Sequence, residues 1–230
     1  MKPRLILASG SPRRQELLAE AGIEFEIARP RVHESANRSL TIRELTRCNA
    51  LRKALAITQL HPACVILAAD TLVALDGQTI GKPRDLADAR AILRQLSGRE
   101  HQVCTGVCLV RQNRLLNFEI VSRVEFHPLS DAQIREYLAK ISPLDKAGAY
   151  AAQGAGREII RRLRGSYSNV IGLPMEETLP ALAEFGIKPA ANDGKSPACS
   201  RPDPQRKTRS NPECSRGKAP APRALAHQRA

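Results

Sequence analysis

The chain has no tryptophan, only seven other aromatic residues among 230, and no apolar run near the roughly 18 residues a membrane-spanning helix requires. Leu5–Ala8 is too short for the apolar core of a secretory leader. The cysteines, Cys48, Cys64, Cys104, Cys108, Cys199 and Cys214, form no CxxC pair, and the histidines fall at no metal-ligand spacing. A closed zinc site is therefore not expected. With no sign of an oxidising compartment, the thiols are expected to stay reduced and the protein to be cytoplasmic. No Ser/His/Asp order or Cys/His pair marks a nucleophilic hydrolase, and no internal repeat is visible. An apolar fraction of 42% with 26% charged residues excludes a wholly disordered chain, a collagen or a disulfide-packed toxin.

Negative charge is also scarce: 23 Asp and Glu face 36 Lys and Arg, for a net charge of +13. The excess is uneven. Lys188–Ala230 holds ten Lys and Arg against three Asp and Glu, seven of the 16 prolines, no aromatic residue and one large aliphatic, Leu225. Such a stretch cannot bury enough apolar surface to offset its ordering entropy. The expected organisation is one folded domain over residues 1–187, then a disordered, basic, proline-rich tail over 188–230. Lacking aromatic rings to stack on bases, that tail is expected to bind nucleic acid weakly and without regard to sequence.

Within the first 187 residues, strands alternate with helices, which predicts an α/β fold with a mixed sheet and flanking helices. Leu5–Ala8 reads as a strand, and Ser11-Pro12 as a helix start with a hydroxyl cap. A short strand follows at Phe25–Ala28, then a helix opened by Thr41 with Ile42, Leu45, Leu51 and Leu55 as its apolar positions. Cys64–Ala69 reads as a buried strand ending on Asp70-Thr71, with Leu72–Leu75 leading to an Asp76-Gly77 hairpin. Asp85 starts another helix; Gln102–Val110 and Ile120–Phe126 read as partner strands, and Ser130 with Gln133 as a capping box. Ile159–Leu163 is the last predicted strand. Leu173–Phe185 is the last helix, which Pro180 is expected to kink or split.

Four segments could carry chemistry. Ser9-Gly10-Ser11-Pro12-Arg13-Arg14 places two bidentate phosphate donors at a helix N-terminus, whose open N–H groups favour anions. Asp70 sits where open α/β sheets place ligands, and an unpaired buried carboxylate is costly, so it should meet a cation, a metal or a cleft. Gly77–Lys82 looks like a phosphate-binding P-loop but is one residue short, and Pro83 stands where Ser or Thr would hold magnesium. Lys82 remains as a point cation. Asp145–Tyr150 with Gln153-Gly154, and then Gly165–Asn169, are small-residue loops that allow close backbone approach; the Gln153 amide can read a base edge.

Together, LILASGSPRRQELL, VHES, LRKA, AADT, GKP, LSGREHQVCTG, LDKAGAYAAQG and GSYSNVIGLP run collinearly from Leu5 to about Ile187. In this they resemble the Maf family of nucleoside triphosphate pyrophosphatases. The resemblance implies the fold of the inosine triphosphate pyrophosphatases, with two lobes around a cleft and often a homodimer. It implies hydrolysis of a nucleoside triphosphate to the monophosphate and pyrophosphate, assisted by Mg2+ or Mn2+. The resemblance implies that Asp70 is the catalytic carboxylate, acting as proton acceptor or as a metal ligand with Glu34. Ser11, Arg14, Lys53 and Lys82 would bind phosphate. Arg13, Thr71 and Gln153 match the branch acting on dTTP and UTP; the 7-methyl-GTP branch carries Trp, Gln and Glu there. Two departures stand out: the acidic loop reads His33-Glu34 rather than two acids, and an LAREKA-like pattern is replaced by Ala50-Leu51-Arg52-Lys53-Ala54. The family has also been linked with division-septum formation, a role that needs a partner surface rather than turnover.

Overall fold

The structure is a computed structural model and describes residues 3–35, 37 and 39–190. Lys188–Ala190 continue the folded chain, the Ala190 N–H donating to the Gly22 carbonyl at 2.9 Å. The remainder of the expected tail, 191–230, lies outside the described residues.

Seven strands form one mixed sheet: Leu5–Leu7 (β1), Glu26–Ile27 (β2), Val65–Leu75 (β3), Gln78–Ile80 (β4), Glu100–Arg111 (β5), Arg114–Phe126 (β6) and Ile160–Arg164 (β7). Their order is β2-β1-β3-β5-β6-β7, with β4 also paired to β3. Among the described residues only β1 pairs in parallel, with β2 and β3; the other ladders are antiparallel. The helices are Pro12–Glu20 (α1), Ile42–Thr58 (α2), Leu86–Leu96 (α3), Asp131–Lys140 (α4), Gly156–Ile159 (α5), Tyr167–Ile171 (α6) and Met175–Glu184 (α7). The mixed α/β class is therefore the one the alternating pattern implies.

One strand departs from expectation in an informative way. β3 does not end at Asp70; it runs eleven residues and places Asp70 in its middle. β5 pairs one edge continuously from Ile66 to Ala74. On the other edge, β1 covers only Val65–Leu67 and β4 begins only at Val73. The sequence break at Asp70-Thr71 marks this change of partner, not the end of the strand. Here the parallel ladder stops, and an open edge remains where α/β sheets seat ligands.

Side chains along β3 alternate between faces. Ile66 and Ala68 join a core with Ala50, Ala54 and Ile57 of α2. Leu67 and Ala69 join a core with Leu17 and Leu18 of α1 and Leu182 of α7. Val73 and Leu75 join a core with Leu93 of α3 and Ile134 of α4. Asp70 continues the α2-facing series, and Thr71 falls between the two cores of the opposite face.

Helix ends follow the predicted chemistry in most places. The Thr41 and Ser130 capping boxes form, and the Asp85 carboxylate accepts the Asp88 N–H at 2.7 Å. Three expectations need correction. The Ser11 hydroxyl makes no cap; instead the Ser11 N–H donates to Ser9 Oγ at 3.2 Å. Pro180 does not split α7, which begins two residues later than expected and forfeits a single backbone donor while burying Ala181 and Leu182. The buried stripe of α2 is Leu45, Thr46, Asn49, Ala50, Lys53, Ala54 and Ile57, whereas Leu51 is half-buried and Leu55 is exposed. The helix lies on small groups of the sheet, so alanines and polar residues face inward.

Candidate active site

A cleft of about 1000 Å3 opens beside the unpaired edge of β3. Asp70, Arg13, Thr71, Gln153, Ser11, Arg14, Lys53, Lys82 and Glu34 all line it, although they come from widely separated parts of the chain. α2 supplies the cation for Asp70. One helical turn apart, Asn49 and Lys53 share a face. Lys53 Nζ donates to Asp70 Oδ1 at 2.6 Å, and Asn49 Nδ2 donates to Asp70 Oδ2 at 3.0 Å. Asp70 is 4% exposed, so its buried carboxylate is paired, with a lysine and an amide rather than an arginine. Lys53 Nζ also lies 2.7 Å from Glu34 Oε1. Burial works to raise the Glu34 carboxyl, but the bond and charge of Lys53, with Lys82 and Arg14 behind it, hold it below the ordinary glutamate value.

On the opposite face of β3, Arg14 is buried and held by protein acceptors. Its Nε donates to the Gly172 carbonyl at 2.8 Å, Nη1 to Ser9 Oγ at 3.1 Å and Nη2 to Thr71 Oγ1 at 3.0 Å. Burial presses its pKa down, opposed by the charge of Asp70. Thr71 and Thr105 lie opposite each other across β3 and β5, with hydroxyls 2.9 Å apart. Because Thr105 Oγ1 donates to the Asn169 carbonyl at 3.0 Å, Thr71 is the donor of that pair. The chain of bonds therefore runs from Arg14 through Thr71 and Thr105 to α6.

The N-terminus of α1 has no side-chain cap and no acidic residue in its first turn. Ser11, Pro12 and Arg13 line the cleft, so the first-turn N–H groups form a ready anion-binding position. Arg13 Nη1 donates to Asp145 Oδ2 at 3.1 Å. Burial alone would raise the Asp145 carboxyl, yet Lys146 and Arg13 hold it low. Lys82 is exposed and makes no ion pair among the described residues. The Gly148 N–H donates to the Gly81 carbonyl at 3.1 Å, fastening the Lys82 loop to the segment leading to Gln153. Cys104 and Cys108 are fully buried; burial raises both thiols, Cys108 to about 12, so they sit as small protonated core groups.

The profile of the family described as Maf-like protein matches residues 4–185. The chain belongs to the Maf family. A dTTP/UTP pyrophosphatase of Symbiobacterium thermophilum is 48% identical over 183 residues, covering 80% of this chain and 94% of that protein. A dTTP/UTP pyrophosphatase of Bacillus velezensis is 44% identical over 188 residues, covering 82% of this chain and all of its own length. The solved structure of the Staphylococcus aureus Ham1 protein overlaps 54% of this Maf chain and 71% of its own, at 15% identity and a TM-score of 0.40. No helix among the described residues is long and apolar enough to cross a membrane.

Ser9 and Asn169 lie in segments that the sequence marks, whereas Asn49 and Thr105 carry no role there; Ser9, Asn49 and Thr105 bond to residues of the cleft, and Asn169 to Thr105. Asn49 left a usable trace, as a polar residue four positions before Lys53 within an inward-facing stripe. Thr105 and Asn169 fall within the collinear motifs, but their roles are not legible there, since they arise from cross-strand register and a helix start far along the chain.

Proposed function

We propose that this Maf protein is a hydrolase that converts dTTP and UTP to the nucleoside monophosphate and pyrophosphate. The observation that carries this reading is one cleft wall where buried Asp70 sits on Lys53, with the uncapped, arginine-bearing start of α1 in the same cleft. Its relatives' names and the trio Arg13, Thr71 and Gln153 point to pyrimidine nucleotides. Gln153 lines the cleft, where its side-chain amide can offer both a donor and an acceptor to a base edge.

The first-turn N–H groups of α1, with Arg13 and Lys82, grip the phosphates and place the α-phosphorus near Asp70. Asp70 accepts a proton from the attacking water as its oxygen bonds to that phosphorus. The bond from the α-phosphorus to the α,β-bridging oxygen breaks, and pyrophosphate leaves with that oxygen and the electron pair. Asp70 and Glu34 are suited to hold Mg2+ or Mn2+, since both carboxylates already meet the single Lys53 ammonium. Among the described residues no group of three or more His, Cys, Asp or Glu could hold an ion, so water and phosphate oxygens would have to supply its remaining ligands. When bound, such an ion supplies neutralisation of phosphate charge.

A panel of nucleoside triphosphates, each with Mg2+ and with Mn2+, tests the reading. Release of pyrophosphate rather than phosphate, fastest from dTTP and UTP, is expected. Intact dTTP and UTP under every condition, beside a working control enzyme, would overturn it. Asp70→Asn should keep the melting temperature within a few degrees and lose on the order of 10²–10⁴-fold in turnover. Wild-type turnover in that variant would remove Asp70 from the chemistry.

A further inference from the structure

Asn49 is 2% exposed, and three of its bonds point in two directions. Its Nδ2 donates to Asp70 Oδ2 at 3.0 Å and to the Ser35 carbonyl at 3.3 Å, while its Oδ1 accepts the Ser35 N–H at 2.7 Å. Both amide hydrogens and one acceptor position are thereby used. The pairing with Ser35 is reciprocal, as between neighbouring strands, although Ser35 lies in a loop with no regular partner. The preceding residue is Glu34, whose carboxylate reaches Lys53. One face of α2 thus fixes this loop twice, through its backbone at Asn49 and through its Glu34 side chain at Lys53. The same two residues divide the oxygens of Asp70 between them.

The two donors are not equivalent. Lys53 neutralises the carboxylates it touches, whereas the Asn49 amide orients Asp70 without cancelling its charge. A carboxylate that must meet water or a cation needs an anchor of this neutral kind.

We propose that Asn49 is a positioning residue, which sets the plane of the Asp70 carboxylate and holds the Glu34–Ser35 loop in register with it. This rests on the pyrophosphatase reading, and it predicts two separable consequences. In the full-length protein, Asn49→Ala lowers kcat on dTTP by about 10–100-fold, the range found for groups that orient catalytic ligands, with KM changed less than about twofold. Asn49→Asp keeps volume and an acceptor for the Ser35 N–H but removes the donor to Asp70 and sets a second carboxylate against it. Its kcat falls further than that of Asn49→Ala, while Asn49→Gln, which keeps the amide, recovers part of the loss.

The second consequence does not depend on turnover. Amide hydrogen exchange in the peptide covering residues 32–35 speeds up at least tenfold in Asn49→Ala and stays near wild type in Asn49→Asp. Wild-type kcat in both Asn49→Ala and Asn49→Asp, or unchanged exchange at 32–35 in Asn49→Ala, overturns the proposal. If the wild type itself leaves dTTP and UTP intact, the pyrophosphatase reading falls, and the exchange measurement still decides whether Asn49 holds the loop.

Discussion

Two neighbouring side chains, Asp70 and Thr71, do opposite jobs because a strand turns them to opposite faces. Asp70 meets the cation of α2; Thr71 meets the guanidinium of α1 and passes the bond on to Thr105. Thr71 therefore shapes the cleft by holding Arg14 in place as well as by lining it. Thr71→Val is nearly isosteric yet strips an acceptor from a buried guanidinium N–H, which costs about 1–3 kcal/mol. For a protein of this size that is a drop in melting temperature of roughly 3–10 °C. The freed arginine should also raise KM for dTTP more than it lowers kcat, and Thr71→Ser should restore both. Calorimetry and steady-state kinetics check the pair; wild-type melting and KM in Thr71→Val would show the bond to be idle. The sequence exposed the first two members of this chain of bonds, since SPRR and AADT are contiguous signals. Thr105 stayed hidden because only the register of β3 on β5 brings it there.

Among the elements, α2 and β3 decide the site, and their close approach is what the sequence showed least clearly. Apolar periodicity suggested Ile42, Leu45, Leu51 and Leu55 as the inward positions; of these only Leu45 is buried, and the helix turns Ala50, Ala54, Asn49 and Lys53 inward. The reason lies across the sheet at Gly106, which pairs with Asp70 in register. A Cβ at Gly106 would lie 2.4 Å from the Thr46 carbonyl carbon and 2.6 Å from the Arg47 nitrogen, both backbone atoms of α2. No side-chain motion relieves that overlap, so the glycine sets how near α2 can come. Where a helix rests on glycine, alanine and cysteine, its large aliphatics are not the contact face, and a pattern search built on leucine misplaces it. Gly106→Ala should push α2 outward, stretch both Lys53 and Asn49 from Asp70, and destabilise the fold by about 1–3 kcal/mol. Turnover should fall more than this loss of stability explains, measured well below the melting temperature. Full activity in a folded Gly106→Ala protein would show that the α2–β3 distance does not matter.

At the scale of the whole molecule, stability against pH turns on a group away from the phosphate chemistry. His101 is 1% exposed, its Nε2 lies 2.9 Å from the Tyr150 hydroxyl, and its ring meets those of Phe126 and Tyr150 edge to face at 4.8 and 5.4 Å. Tyr150 in turn lines the cleft, so this aromatic trio joins the sheet to the wall of the site. Burial lowers the imidazole to about 4. In the unfolded chain the same group titrates near 6.5, so between those values the unfolded state binds the extra proton. Stability is therefore full above about pH 6.5 and declines as the pH falls towards 4. The fall is about 1.4 kcal/mol per pH unit, or about 2 kcal/mol between pH 7.5 and 5. Glu34, Asp145 and Glu176, all held below their ordinary values, add to the loss only at more acidic pH. Urea denaturation of wild type and His101→Gln at pH 7.5 and 5 isolates the histidine, because every other titrating group is common to both proteins. The variant should start less stable at pH 7.5 yet lose about 2 kcal/mol less on acidification. Equal losses in the two proteins would mean that His101 takes its proton without unfolding pressure, and that the trio is looser than its packing indicates.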